Sequence, residues 1–288
     1  MLQDIAPYKF HNEFEIKEPR EEDFVLIFKN SQVLLANASD GPEIPSVAHI
    51  QNMIPSMCEQ LTYLFCIDQY NFFLAENTET LPEGEISGFS YNKLQIFRQM
   101  HPKWMGFAGV TGSQLHRWYT NHQFCGYCGK PMHQSSMERA MVCEECGLIE
   151  YPKISPAVIV GITNGDKIIM TRYANRPFKK YALIAGFMEI GETLEETVDR
   201  EVMEEVGVKV KNIRYYGNQP WAFSDTLLVG FFAELDGDDN ITMDEDELAE
   251  AGWFTREEIP IDEENDISLT YMMMEAFREK REYEVSHE

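Results

Sequence analysis

Short apolar runs separated by polar turns dominate the N-terminal part of the chain. Phe24–Phe28 is followed by Val33–Ala36, and Tyr63–Ile67 is followed by Phe72–Ala75. Apolar runs of this length, with turn residues such as Asn30-Ser31 between them, are typical of paired strands. The pattern therefore predicts two β-hairpins in this region.

The segment from Gly106 to His122 has a different pattern. Its apolar residues are spaced at three, five and three positions instead of forming a run. This spacing is close to the period of a helix. Together with the hairpins it predicts a small α+β domain, and nothing in that domain indicates a chemistry.

A second sheet is predicted after Tyr151. Ala157–Ile162 and Ile168–Thr171 are apolar runs joined by Asn164-Gly165. Asn-Gly between apolar runs is a strong hairpin signal. Further strands are expected at Tyr181–Ala185, Ile213–Tyr216 and Thr226–Ala233.

Charge narrows the range of partners. The 288 residues include 24 Lys and Arg against 49 Asp and Glu, which gives a formal net charge of −25. This balance argues against a broad basic face for nucleic-acid backbones, so a phosphate ligand needs a metal ion or a local basic spot. No run approaches the ~18 apolar residues of a membrane span. Charged residues interrupt the first fifteen positions, so we expect no signal peptide and a cytoplasmic protein.

Four of the six cysteines form two Cys-x-x-Cys pairs, each followed by glycine. They are Cys125, Cys128, Cys143 and Cys146. This spacing is typical of a closed zinc site with four thiolates, which has no open position for catalysis and is structural. The other two cysteines, Cys58 and Cys66, lie in apolar surroundings and are expected to be packed thiols, and His133 is expected at the surface.

The segment from Gly186 to Val208 carries the most chemical information. Thr193 and Glu196 form a capping-box pattern, which predicts a helix beginning near Leu194, and Gly207 suits its end. The helix would place three carboxylates close together, those of Glu201, Glu204 and Glu205. Such like charges destabilise a bare helix, whereas a bound divalent cation removes the repulsion. Carboxylate oxygens are the ligands that Mg²⁺ and Mn²⁺ prefer, although an exposed charged face is the alternative.

This segment resembles the Nudix box, G-x5-E-x7-R-E-U-x-E-E-x-G-U, at every fixed position. The matching residues are Gly186, Glu192, Arg200, Glu201, Val202, Glu204, Glu205, Gly207 and Val208. The resemblance implies a mixed sheet between helices, an α/β/α sandwich, and hydrolysis of a nucleoside diphosphate linked to another moiety.

The resemblance also implies roles for individual residues. Glu201 and Glu205 would be metal ligands, and Glu204 the proton acceptor or a third ligand. Arg200 would orient these carboxylates, with Glu192 as its ion-pair partner. Further metal ligands would be the carbonyl of Ala185 and the carboxylate of Glu247.

A zinc ribbon directly before such a domain resembles the NADH pyrophosphatase subfamily. That subfamily carries S-Q-P-W-P-F-P-x-S after the box, and this chain has N-Q-P-W-A-F-S-D-T at residues 218–226, so four positions differ. Two prolines fewer make the loop less rigid, which weakens the inference of NAD(H) preference. The implied substrate-binding residues are Tyr151, Phe187, Asn218, Gln219, Pro220, Trp221, Ala222, Phe223, Ser224, Asp225, Thr226, Glu250 and Thr270. Packing in the core is the alternative for Trp221 and Phe223.

Three parts are therefore expected. They are an N-terminal α+β domain at residues 1–120, a zinc ribbon at 121–154 and a Nudix domain at 155–288. The resemblance implies a homodimer that hydrolyses NAD(H) to AMP and the nicotinamide mononucleotide, with structural Zn²⁺, catalytic Mg²⁺ or Mn²⁺, and NAD-capped RNA as a further substrate. Two alternatives stay open: a Nudix enzyme for ADP-ribose or another nucleoside diphosphate derivative, and a nucleotide sensor or zinc-ribbon adaptor that does not cleave.

Overall fold

A computed structural model describes residues 1–76, 78, 81, 86–174, 180–260 and 267–284. These residues form two compact units. The N-terminal unit comprises Leu2–Lys153 together with Ala222–Ser224, and the C-terminal unit comprises Met1, Ile154–Trp221 and Asp225–Glu288.

Among its described residues, the N-terminal unit contains three small sheets and two α-helices, and the three-stranded sheet lies in the cysteine-rich segment. Its strands are β1 (Phe10–His11), β2 (Phe24–Leu26), β3 (Phe28–Lys29), β4 (Gln32–Ala38), β5 (Gly41–Glu43), β6 (Leu61–Ile67), β7 (Tyr70–Ala75) and β8 (Phe89–Lys93), followed by β9 (His133–Gln134), β10 (Met141–Val142) and β11 (Ile149–Glu150). Its helices are α1 (Val47–Met53) and α2 (Lys103–Asn121), and 3₁₀ turns lie at Pro55–Cys58 and Leu94–Arg98. One sheet has the order β1-β6-β7-β2, another contains β3-β4-β5 with β8 paired to β4, and the last has the order β11-β10-β9.

The hairpin predictions are confirmed in one case and corrected in the other. Strands β6 and β7 form the expected antiparallel hairpin. At the first site the turn is right, since Asn30 and Ser31 both have positive φ, at 49° and 60°, as a tight hairpin turn requires. The run Phe24–Phe28 is wrong as one strand, because β2 pairs in parallel with β7 while only β3 pairs with β4. An apolar run shows burial but not which neighbour a strand pairs with.

The C-terminal unit is a mixed sheet between two helices, as the resemblance implies. Its strands are β12 (Ser155–Asn164), β13 (Lys167–Tyr173), β14 (Ile184–Phe187), β15 (Val210–Trp221), β16 (Thr226–Leu235) and β17 (Leu248–Thr255), and its helices are α3 (Leu194–Val206) and α4 (Leu269–Arg278), with a 3₁₀ turn at Arg256–Glu258. The order is β15-β16-β12-β13-β17, with β14 paired to β12. Strands β12 and β16 are parallel and the other pairs are antiparallel. The strand expected at Tyr181–Ala185 begins later, at Ile184, after an isolated bridge between Ala182 and Thr171.

Each face of this sheet has its own apolar core. Alternate side chains of a strand point to opposite faces, so one strand serves both cores. Ile169 packs on the face of α3, with Val198 and Val202 of that helix. Ile168 packs on the face of α4, with Met273. The sheet therefore separates the apolar core beside α3 from the apolar core beside α4.

Candidate active site

Helix α3 has the ends that the sequence predicts. The Thr193 hydroxyl accepts a hydrogen bond from the Glu196 backbone N–H at 3.2 Å, and the Glu196 carboxylate accepts one from the Thr193 N–H at 2.7 Å, which completes the capping box. Gly207 ends the helix in the left-handed region, with φ of 68°. Val198 and Val202 fix the helix against the sheet. The carboxylates of Glu201 and Glu204 lie on another side of α3, where Arg200 binds both of them.

Arg200 is the centre of the hydrogen-bond network at the box. Its Nε and Nη2 bind the two oxygens of Glu192 at 2.6 and 3.0 Å, a bidentate pair. Its Nη1 lies 2.7 Å from Glu201 Oε1 and 3.0 Å from Glu204 Oε2, and Nη2 also donates to the Phe187 carbonyl at 2.9 Å. The pKa of Glu192 is lowered to about 2, first by the hydrogen bonds from Arg200. Arg200 therefore ties the loop before α3 to the carboxylates on α3.

The Glu201 carboxylate lies against the backbone of Gly186. A Cβ at position 186 would lie 1.9 Å from the carboxyl carbon of Glu201, so only glycine leaves room for this group. Burial raises the pKa of Glu201 despite its hydrogen bond to Arg200, and the negative charges of Glu204 and Glu247 raise it further. The structure thus brings Glu247, distant in sequence, within electrostatic reach of the box.

Glu247 is placed by a loop that binds the end of α3. The Asp244 N–H donates to the Glu205 carbonyl at 3.0 Å, and the Leu248 N–H donates to the Asp244 carbonyl at 2.9 Å. Glu205 itself is 2% exposed. A buried glutamate and the crowded charges around Glu201 suit a cation, because carboxylates are costly to bury or to crowd without one. Carboxylate oxygens are the ligands that Mg²⁺ and Mn²⁺ prefer.

The four cysteines predicted to bind zinc form a compact group of potential metal donors. The four Sγ atoms all lie within 4.8 Å of one another. Gly129 and Gly147 follow the two pairs with φ of 71° and 77°, and their N–H groups donate to the carbonyls of Cys125 and Cys143, both at 2.9 Å. Hydrogen bonds from the Cys128 and Tyr127 backbone amides lower the pKa of Cys125 to about 7. This geometry fits a structural Zn²⁺, as the spacing predicts.

The predicted substrate-binding residues are spread over both units. Tyr151, Ala222, Phe223 and Ser224 belong to the N-terminal unit, and Phe187, Asn218, Gln219, Pro220, Trp221, Asp225, Thr226, Glu250 and Thr270 to the C-terminal unit. Tyr151 and Phe187 are each 55% exposed, so their rings are accessible, and the Tyr151 hydroxyl donates to Glu138 at 3.1 Å.

The side-chain amide of Gln219 binds backbone groups of the protein at both its nitrogen and its oxygen. Its side chain is fully buried. Its Nε2 donates to the Ile267 carbonyl and its Oε1 accepts from the Leu269 N–H, both at 2.7 Å. The amide therefore supports the start of α4, and direct contact with a base stays a prediction. The ring centroid of Phe223 lies 4.9 Å from the guanidinium of Arg98. Arg98 was not predicted from the sequence, because this residue belongs to no motif.

No helix in the described ranges is both long enough and apolar enough to span a membrane.

Comparison with known proteins identifies the two functional segments. Residues 153–273 match the family described as NUDIX domain, and residues 120–151 match the NADH pyrophosphatase zinc ribbon domain. The predicted resemblance is therefore confirmed for these two segments, a Nudix domain and a zinc ribbon directly before it.

The curated relatives include proteins named NAD-capped RNA hydrolase NudC. The one from Salmonella heidelberg (strain SL476) is 47% identical over 150 residues, and the one from Citrobacter koseri (strain ATCC BAA-895 / CDC 4225-83 / SGSC4696) is 46% identical over 150 residues. Each alignment covers 52% of this chain and 58% of the relative. A crystal structure of a NUDIX hydrolase from Nitrosomonas europaea is 24% identical and covers 57% of this chain and 94% of that one, with a TM-score of 0.49.

Proposed function

We propose that the protein hydrolyses the diphosphate bond of NAD(H), releasing AMP and the nicotinamide mononucleotide. The observation that carries this proposal is the Glu201 carboxylate, which lies against Gly186, is held by Arg200 and is crowded by other acidic charges. The NADH pyrophosphatase type of the ribbon and the name of the curated relatives support a nicotinamide dinucleotide as the substrate.

Glu201, Glu204, Glu205, Glu247 and the carbonyl of Ala185 would hold Mg²⁺ or Mn²⁺. When bound, the ion supplies positive charge that neutralises the diphosphate and stabilises the leaving oxygen. The chain's own groups fix its ligands before the substrate arrives, because Arg200 holds two of the carboxylates and α3 is capped at both ends. A fixed arrangement needs little reorganisation during the reaction.

Glu204 is the residue that we propose as the proton acceptor. Its side chain is 58% exposed, whereas that of Glu201 is only 12% exposed. An accessible carboxylate oxygen can take a proton from the attacking water as the oxygen–phosphorus bond forms. Arg200 Nη1 binds only Oε2 of Glu204 in this structure, at 3.0 Å, and so restricts its orientation.

An assay with several substrates tests the proposal. The protein is supplied with Mg²⁺ or Mn²⁺ and NADH, NAD, ADP-ribose, a diadenosine polyphosphate or an NAD-capped RNA, and the products are identified. We expect AMP from NADH. Cleavage of ADP-ribose alone would favour the alternative enzyme, and binding without cleavage would favour a sensor. The net charge of −25 makes long RNA the less favourable substrate at low salt.

Replacing Glu204 tests its role directly. Glu204→Gln should lower kcat by about 10²-fold or more, since a general base contributes roughly this much. The free energy of unfolding should change by less than ~0.5 kcal/mol because the side chain is exposed. The control is Glu195→Gln, an exposed residue of the same helix at a variable position of the box, which should leave kcat unchanged. Full activity of Glu204→Gln would contradict the assignment.

We further propose a homodimer in the cytoplasm. Ile190 and Phe187 are exposed apolar side chains beside the box, and burying them against a second copy would remove them from water. Paired thiols that ligate zinc suit a reducing compartment. Light scattering during size exclusion should give twice the 33.4 kDa of one chain. A monomer at micromolar concentration would contradict the dimer.

A further inference from the structure

Three side chains at one end of the sheet form a closed triangle. Arg172 Nη1 lies 3.1 Å from Glu250 Oε2, and the Tyr181 hydroxyl donates to Glu250 Oε1 at 2.9 Å. The guanidinium carbon of Arg172 lies 3.9 Å from the centroid of the Tyr181 ring. Both oxygens of Glu250 are therefore held, and the two residues that hold them also contact each other.

The backbone around this triangle is fixed by strand pairing. Arg172 of β13 lies directly opposite Glu250 of β17. Thr171 and Ala182 exchange two hydrogen bonds, at 2.8 and 2.9 Å, which places Tyr181 beside Arg172. The Tyr181 ring packs edge-on against Phe254, with 4.9 Å between the ring centroids. The orientation of the Glu250 carboxylate thus depends on three separate chain segments.

Glu250 is close in sequence to Glu247, a predicted metal ligand, but it lies on the face of the sheet opposite to α3. It follows Glu247 by three residues, and the Ala174 N–H donates to the Glu247 carbonyl at 2.9 Å. Alternation along the strands places Arg172 with Met170, and Glu250 with Phe254, on the face that α4 covers. The Glu201 carboxylate lies on the α3 side. Glu250 is therefore suited to contact a part of the substrate other than its metal-bound oxygens.

Stability does not account for the triangle. The side chains of Arg172 and Glu250 are 40% and 42% exposed, and ion pairs at such positions contribute little to folding. A carboxylate offers about four acceptor positions, and the described residues occupy two of those on Glu250, which leaves acceptor positions for a ligand as far as the described part of the chain is concerned. An ionised carboxylate repels phosphate and accepts hydrogen bonds from neutral hydroxyls. In nucleotide sites that chemistry is typical of ribose recognition.

We infer that Arg172 and Tyr181 are positioning residues that hold the Glu250 carboxylate to accept a hydrogen bond from a ribose hydroxyl of the dinucleotide. The inference rests on the proposed function for the identity of the substrate. Because each hydrogen bond to Glu250 restricts its rotation, the loss of either one releases the carboxylate and weakens recognition of the ribose. The metal-binding side of the sheet is left intact.

Two forms of NAD, each lacking the 2′-hydroxyl of one ribose, provide the test. KM and kcat are measured for NAD and for both deoxy forms, and Kd is measured by calorimetry without divalent cations. In the wild type we expect one deoxy form to bind about 10-fold more weakly than NAD, and this form identifies the ribose. Tyr181→Phe keeps the ring but removes the hydrogen bond, and should raise KM for NAD about 3- to 10-fold with kcat nearly unchanged.

Double variants distinguish positioning from a purely structural effect. In a Glu250→Gln background, Tyr181→Phe should have no further effect on KM, because the group that it positions is already changed. Arg172→Gln should resemble Tyr181→Phe, and Arg172→Lys should recover part of the affinity by restoring the charge. The matched control is Lys211→Gln, which removes an exposed ion pair with Asp236 at 2.9 Å in the same unit and should change nothing.

The outcomes separate this inference from the proposed function. Discrimination between NAD and a deoxy form in the Kd, without any turnover, would support the inference and refute NAD hydrolysis. Turnover of NADH with equal binding of NAD and both deoxy forms would refute the inference alone. Fully additive effects of Tyr181→Phe and Glu250→Gln would also refute it. A wild type that binds no dinucleotide would refute both.

Discussion

At the scale of single residues, the site depends on one close approach between a glycine and a glutamate. Gly186 lies in β14 and Glu201 lies in α3. The carboxylate of Glu201 occupies the space that a Cβ atom at position 186 would need. Arg200 then holds the same carboxylate at 2.7 Å. Both residues set the position of the Glu201 carboxylate, so we expect that replacing Gly186 will affect activity more than folding.

Gly186→Ala is expected to separate the two effects. The new methyl group would meet the far end of a flexible side chain, so folding should lose less than ~1 kcal/mol. The carboxylate must move, however, and metal-dependent hydrolysis should fall by about 10²-fold, because a displacement of about 1 Å at reacting groups has this effect. Steady-state rates and urea unfolding give the two numbers.

Gly161→Ala is the opposite control. A Cβ there would lie 2.7 Å from the ring of Phe232, which is buried in the core. We expect a loss of roughly 1–3 kcal/mol in stability with little change in kcat of the folded fraction. If Gly186→Ala instead lost stability and kept its activity, the placement of Glu201 would be wrong.

His116 gives a prediction for pH. It lies on α2, stacked on Phe28 with 5.0 Å between ring centroids, and burial, helped by the charge of Arg117, lowers its pKa to about 4 from the ordinary 6.5. Between these values the unfolded chain binds a proton that the folded chain does not, so stability falls as the pH falls. The loss between pH 7 and 4.5 should be roughly 2 kcal/mol. In urea titrations His116→Phe should reduce this dependence by that amount, and an identical pH dependence would contradict the assignment.

At the scale of elements, the bounds and the buried side of α3 follow from a local sequence pattern. Its capping box, its valine stripe and its terminal glycine can all be read from the sequence, because each depends on residues within one or two turns. The pairing of β2 with β7 could not be read in this way, since a partner strand is chosen by the whole sheet. The position of a helix or strand in the chain is therefore easier to predict than the strand with which it pairs.

Thr193→Ala tests the contribution of the cap to α3. Loss of one N-cap hydrogen bond should destabilise the helix by about 1 kcal/mol, while Thr193→Ser, which keeps the hydroxyl, should have little effect. Hydrogen exchange should become faster at the first-turn amides of α3, including that of Glu196. KM for the metal should rise modestly. Unchanged exchange in Thr193→Ala would show that packing alone holds this end.

At the scale of the whole molecule, the C-terminal unit and the zinc ribbon differ in the size of their apolar cores. The C-terminal unit has a core on each face of its sheet. In the N-terminal unit the ribbon has only a small cluster, in which Cys125 and Cys143 pack with Trp118, Met132 and Met141. Such a small core needs an additional cross-link, and structural zinc supplies it.

Removal of zinc should destabilise the ribbon and leave the C-terminal unit folded. Cys143→Ser should lower the zinc content from one ion per chain to none and speed hydrogen exchange around β10 and the end of α2. Exchange in the core of α3 should be unchanged. Cys66→Ser, outside the cluster, should keep the zinc. Full zinc content in Cys143→Ser would exclude the four-cysteine site.

The sequence by itself determined the resemblance to a Nudix domain with a zinc ribbon, and it predicted two metal sites. The predicted ligands in the Nudix box and in the two Cys-x-x-Cys pairs are placed by local geometry, which follows from spacing along a helix or a tight turn. Only the tertiary structure decided which residues from distant parts of the chain contact each other. It brought Glu247 within reach of Glu201, turned the amide of Gln219 toward α4, and closed Arg172 and Tyr181 around Glu250. These contacts depend on strand pairing and sheet faces, which long-range packing sets and no local pattern records.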